Sequence, residues 1–169
     1  MRRLKEAGAD CVKILLYYTP FEKPAVNDLK QAWIERIGDE CLAHDIPFFL
    51  EFVGYDAEGG DEKTVAYAKK KPSIVSGAMA EFGKARYNVD VLKVEVPIIT
   101  EFVAGTKCFK GEAAYTRAEA LQHFRDAESM TQDVYKRQGC SPSCFSFWRW
   151  TSLCRRAGQG GCASCCGCR

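Results

Sequence analysis

Lys13, Glu51 and Lys93 are the residues of this chain best placed by type and setting to do covalent chemistry. Each interrupts a short apolar run: Cys11-Val12-Lys13-Ile14-Leu15-Leu16-Tyr17-Tyr18, Ile46-Pro47-Phe48-Phe49-Leu50-Glu51-Phe52-Val53 and Val89-Asp90-Val91-Leu92-Lys93-Val94-Glu95-Val96. An ammonium in a buried strand is unfavourable unless it is paired or gives up its proton. A lysine that loses its proton near neutral pH is an amine nucleophile, the reagent for Schiff-base chemistry on a carbonyl. A second cation and removal from water both favour a neutral amine, and a carboxylate alongside can carry protons during carbinolamine and imine formation. Side chains alternate along a strand, so Lys13 shares a face with Cys11 and Leu15, Glu51 with Phe49 and Val53, and Lys93 with Val91 and Glu95. If these faces line one cavity, two ammonium groups and a carboxylate meet in it. The plain alternative is that each is a strand-end charge whose head reaches water.

The three runs need elements to position them. Arg2 to Ala7 reads as a helix end stopped by Gly8. The Lys13 run reads as a strand buried on both faces. Pro20 and Pro24 mark a loop, Asn27 is the expected N-cap, and Leu29, Trp33, Ile34, Ile37 and Cys41 follow at helical spacing to about His44. The Glu51 strand leads into a polar loop, Gly54 to Asp61. A short helix is expected over Glu62 to Lys70, and Pro72 is expected to open another carrying Ile74, Val75, Met79 and Phe82. Pro97 ends the Lys93 strand. Thr116 caps a last helix through Ala120, Leu121 and Phe124, with Glu119 as its capping-box partner. Apolar strands alternating with amphipathic helices imply an α/β fold with a parallel sheet. A doubly wound sheet and a slice of a closed (β/α)8 barrel both fit three such strands; a whole barrel, at about 250 residues, does not fit this length.

Composition narrows the function classes. The formal charge of +2 hides two unlike parts: residues 134–169 hold six of the 24 Lys/Arg and none of the 22 Asp/Glu, leaving 18 against 22 before them. The positive balance therefore gives no warrant for nucleic-acid binding by the body of the chain. No apolar run reaches transmembrane length and no signal-peptide core opens the sequence, so a cytoplasmic protein without a membrane partner is expected. Seven of ten cysteines crowd into residues 140–168, while Cys11, Cys41 and Cys108 are dispersed, a pattern suited to a reducing compartment.

Residues 1–132 thus read as one domain and 133–169 as a Cys/Gly/Ser/Arg-rich tail, irregular and unlike a native fold. The seam Asp133-Val134-Tyr135-Lys136-Arg137-Gln138 resembles translated adaptor sequence, and residues 139–169 read as GC-rich DNA in a wrong frame. Cys162-Ala163-Ser164-Cys165 has a zinc-ligand spacing but lacks a second pair and a nearby histidine. Taken at face value, the tail leaves open a metal- or redox-binding module on a non-catalytic scaffold. His44 and His123 read as helix-surface residues, and Gly59-Gly60 as an exposed turn.

Four stretches carry a resemblance: Val12 to Tyr18, Ile34-Glu35-Arg36-Ile37-Gly38, Asp45 to Glu51, and Asn88 to Pro97. Over roughly residues 1–132 the chain resembles the tagatose 1,6-bisphosphate aldolases, class I enzymes that use no metal or cofactor. The resemblance implies a (β/α)8 barrel, of which this chain holds about strands four to six, and makes Met1 an internal residue of a longer frame. It implies that Lys93 forms the imine with dihydroxyacetone phosphate, that Glu51 moves protons and that Lys13 contacts substrate. The expected reaction cleaves tagatose 1,6-bisphosphate to dihydroxyacetone phosphate and glyceraldehyde 3-phosphate. Related sulfosugar-phosphate aldolases share the plan, and the family implies a homo-oligomer. With the other strands and most phosphate-binding units missing, the chain itself is expected to be a fragment of little activity.

Overall fold

Strand pairing follows chain order without a reversal. The computed structural model describes residues 1–130 and the backbone of 135–138. A short helix α1 (Arg2–Glu6) precedes β1 (Val12–Tyr17), α2 (Pro24–Ala43), β2 (Phe48–Val53), α3 (Val65–Phe82), β3 (Val91–Val94), α4 (Arg117–Ser129) and β4 (Tyr135–Gln138). Single 3-10 turns at Ala85–Tyr87 and Thr100–Phe102 flank β3. The sheet order is β1-β2-β3-β4 and every pairing is parallel. Right-handed crossovers in a sheet that never reverses its order put all connecting helices on one face.

That face holds the main core. Val12 and Leu16 of β1, Phe48, Leu50 and Phe52 of β2, and Leu92 and Val94 of β3 pack against Ile34, Ile37 and Cys41 of α2 and Val75, Ala78, Met79 and Phe82 of α3. A smaller cluster groups Ala68 of α3 with Ile98, Phe102, Val103, Tyr115 and Ala120. The expectation that β1 is buried on both faces is corrected: Lys13, Leu15 and Tyr17 are exposed. The period-2 burial of β1 reflects one covered face, although its sequence is apolar on both.

Two helix starts also differ from expectation. Asn27 does not cap α2; Pro24 opens it, where a fixed φ suits the first turn and the missing N–H has no partner to lose. Asn27 lies buried inside the helix and its Nδ2 donates to Thr19 O at 3.0 Å, holding the loop after β1. Of the residues at helical spacing, Leu29 and Trp33 are 74% and 46% exposed, while Ile34, Ile37 and Cys41 are buried. Pro72 does not open a helix either: α3 runs unbroken through it from a Thr64 cap. A proline inside a helix costs about 3 kcal/mol, and burial of Tyr67, Ala68, Ile74, Val75, Ala78, Met79 and Phe82 along the same helix opposes that cost.

The α4 start behaves as its sequence implies. Thr116 Oγ1 accepts from Glu119 N at 3.3 Å and Glu119 Oε2 accepts from Thr116 N at 2.7 Å. Thr116→Ala is expected to lower unfolding free energy by about 1 kcal/mol, read as a shifted urea midpoint at unchanged slope.

β4 was not legible. The reading of three strands is corrected to four, because Tyr135–Gln138 pairs with β3 although it has no aliphatic run. The expected Cys-rich tail and its Cys162/Cys165 pair lie outside the described residues, except for this strand in the seam. Met1–Gly139 forms one compact unit.

Candidate active site

The second face of the sheet carries the charges. Lys13 stands opposite Phe49, Leu15 opposite Glu51, and Glu51 opposite Lys93 in the parallel register. Glu51 is therefore level with Lys93 on one side and diagonal to Lys13 on the other. Its Oε1 meets Lys93 Nζ and its Oε2 meets Lys13 Nζ. The three expected residues are thus brought together, with one carboxylate held between two ammonium groups. Their side chains are 15% (Glu51), 38% (Lys93) and 53% (Lys13) exposed, so the carboxylate is the sheltered member and both amines remain open to solvent.

Lys13, the second residue of β1, pairs with Phe49 and so lies one pleat repeat before the level that Glu51 and Lys93 share. It reaches Glu51 along the face rather than from the strand tip. A four-carbon stem spans one pleat repeat, which is why a lysine works at that position.

Hydrogen bonds from Lys13 and then from Lys93 hold the Glu51 carboxyl below the usual glutamate range; partial burial opposes them and is outweighed. A carboxyl whose pKa is depressed by folding stabilises the fold above its unfolded value, and that contribution fades as pH falls through the folded value. Glu51→Gln is therefore expected to flatten the loss of stability on acidification below the ordinary value of 4.5. Urea midpoints of both proteins between neutral pH and strong acid would check it; parallel curves would contradict the coupling.

Sequence reasoning missed a second polar cluster at the exit of β2. Glu95 was expected to share the Lys93 face. Instead β3 ends at Val94, and the Glu95 side chain turns to accept from Gly54 N at 2.7 Å and from Lys71 Nζ at 3.4 Å. Lys71 is 15% exposed. Its only sequence signal was a place in the Lys69-Lys70-Lys71-Pro72 run, which reads as a solvated face until the helix is known to pass through Pro72. Nearby, Tyr55 donates to Glu22 Oε2 and accepts from Lys30 Nζ, both at 2.9 Å, tying the loop after β2 to the one after β1. Burial and the Glu22 charge push the Tyr55 hydroxyl up to about 12, so it stays a donor at any working pH.

His123 packs edge-on against Tyr115 and takes no part in the charge cluster. Among the described residues, no three His, Cys, Asp or Glu side chains stand close enough to hold a metal ion, and no helix is long and apolar enough to cross a membrane.

Residues 1–162 match the family described as DeoC/LacD family aldolase. The chain belongs to the DeoC/LacD aldolase family. It is 48% identical over 159 residues to tagatose 1,6-diphosphate aldolase 1 of Enterococcus faecalis, covering 94% of this chain and 48% of that protein. It is 50% identical over 146 residues to tagatose 1,6-diphosphate aldolase of Staphylococcus haemolyticus, covering 85% of this chain and 44% of the relative. The chain thus spans about half the length of the curated relatives it matches. A solved Schiff-base-forming fructose-1,6-bisphosphate aldolase matches 81% of this chain and 53% of its own, at 14% identity and a TM-score of 0.41.

Proposed function

We propose that this chain carries the Schiff-base centre of a class I aldolase acting on tagatose 1,6-bisphosphate, with Lys93 as the imine-forming amine. The observation that carries the reading is the Lys13–Glu51–Lys93 constellation: two amines, one sheltered carboxylate, all on the open face of a parallel sheet. The relatives' names supply the substrate class. In this reading the Lys93 amine attacks the ketone carbonyl, and the carbinolamine then loses water to give the protonated imine. Glu51 is in contact with Lys93 and takes and returns the protons of these steps. The imine accepts the electron pair released as the carbon–carbon bond breaks, freeing an aldehyde phosphate and leaving an enamine that is reprotonated. Lys13 brings the three-residue site to a net positive charge, which favours a phosphorylated substrate.

Lys93 rather than Lys13 is the proposed nucleophile because it stands level with Glu51 across one strand pair and is the less exposed amine. The same proposal takes the strands as consecutive members of a (β/α)8 barrel, about strands four to six with β4 following. The unreversed strand order supports this over a doubly wound sheet, whose order reverses at a switch point. Sugar-phosphate chemistry and three dispersed body cysteines fit a cytoplasmic enzyme.

Borohydride reduction in the presence of dihydroxyacetone phosphate, followed by peptide mapping, tests the assignment. A slow, low-yield adduct on Lys93 is expected, since the described strands leave the site face open. Labelling spread over surface lysines would overturn the nucleophile, and efficient labelling would overturn the expectation of weak activity in the chain alone.

A further inference from the structure

β3 is only four residues long, yet the site depends on its register. A slip of one residue against β2 would turn Lys93 to the helix-covered face and leave Glu51 with Lys13 alone. The paired backbone of so short a strand specifies register weakly. Two carboxylates just outside β3 supply what the ladder lacks. Before the strand, Asp90 Oδ2 accepts from Phe48 N at 2.9 Å, while Asp90 N donates to Phe48 O at 3.0 Å. After the strand, Glu95 Oε2 accepts from Gly54 N at 2.7 Å, and Lys71 holds the other oxygen of that carboxylate. Phe48 opens β2 and Gly54 follows it, while Asp90 and Glu95 flank β3 on either side. Between these two contacts lie the pairs Phe49 with Val91, Leu50 with Leu92, and Glu51 with Lys93.

We infer that Asp90 and Glu95 are positioning residues that clamp β3 to β2 at both ends and so hold the Lys93 amine against Glu51. Carboxylate-to-amide hydrogen bonds are stronger than neutral ones and are aimed at single backbone donors, so they fix one register. Neither residue touches the reacting atoms; both act through the strand that carries Lys93. The catalytic meaning of this placement rests on the Schiff-base reading, but the placement itself does not.

Zero-length crosslinking separates the two. A water-soluble carbodiimide activates the Glu51 carboxylate, the adjacent amine displaces the resulting urea, and an amide bond forms between the side chains. The unsubstituted chain should give both Glu51–Lys93 and Glu51–Lys13 links, resolved by mass spectrometry. In Asp90→Ala and in Glu95→Ala the ratio of the Lys93 link to the Lys13 link should fall about tenfold, the size expected for losing one charged hydrogen bond. The Lys13 link is an internal reference, because the β1–β2 pairing does not use either clamp. Asp90→Asn and Glu95→Gln keep an acceptor oxygen but not the charge, and should restore the ratio in part. If an alanine variant fails to fold, Glu95→Asp, which keeps the charge but shortens the reach, carries the same expectation. An unchanged ratio, or an equal fall in both links, overturns the clamp. Since no substrate is used, failure here leaves the borohydride result standing, and failure there leaves this one standing.

Discussion

The Lys93→Met chain is expected to lose the borohydride-trapped adduct entirely while keeping its fold. Methionine preserves an unbranched stem of similar length, so packing against Glu51 and the neighbouring strand changes little. The ion pair that disappears is partly solvated on the lysine side, and such pairs contribute about 1 kcal/mol or less. Glu51 is not stranded, because its other oxygen still meets Lys13. A near-normal urea midpoint with no adduct is therefore the outcome that identifies the nucleophile. Lys13→Met gives the contrast. It removes charge of the same sign from the same carboxylate, and in it the adduct should persist on Lys93 at lower yield. If instead Lys13→Met abolished trapping and Lys93→Met did not, the two amines would exchange roles. Two lysines sharing one carboxylate make this pair of variants more informative than either alone.

The charges of the site were legible because each broke an apolar run, and such runs survive as strands whatever surrounds them. Alternation gave Lys13, Glu51 and Lys93 their face-mates; that the three stand together on one face came from the register of the parallel pairs. What sequence could not supply was anything set by a partner distant in the chain. Glu95 obeys alternation on paper, but β3 stops one residue short of it, and Gly54 and Lys71 draw its carboxylate away. Asn27 has a capping residue's chemistry, yet Pro24 had already begun the helix and the amide found Thr19 instead. Pro72 obeys the local rule that proline opens helices only while the core is ignored; Tyr67 and Ala68 before it and Ile74 and Val75 after it are all buried, and that burial carries the helix through. Leu29 and Trp33 fit the spacing of a buried stripe, but α2 turns Ile34, Ile37 and Cys41 inward. β4 had no apolar signal to read.

Gly38→Ala is the substitution expected to disturb this chain most. Gly38 lies in α2, where alanine on its own would favour the helix by about 1 kcal/mol. A methyl group there would sit 1.9 Å from Tyr87 O and 2.8 Å from Tyr87 C, a contact that no rotamer relieves because both atoms are backbone. Tyr87 has little freedom to retreat. It is fully buried, its hydroxyl donates to Glu81, and its ring packs 5.1 Å from that of Phe82. The carbonyl must move with the turn that leads through Asn88, already at φ +48, into Asp90 and β3. The net effect is expected to be a loss of at least about 2 kcal/mol, overpacking against backbone exceeding the gain in helix propensity. Gly77→Ala provides the comparison in α3. There the new methyl would meet Pro20 Cγ at 2.7 Å, a ring edge on a loop that can give way, so a smaller loss is expected. Urea unfolding would rank the two. Carbodiimide crosslinking of Gly38→Ala should also show a weakened Glu51–Lys93 link beside an intact Glu51–Lys13 link, because the displaced turn feeds the strand that carries Lys93 and not the one that carries Lys13.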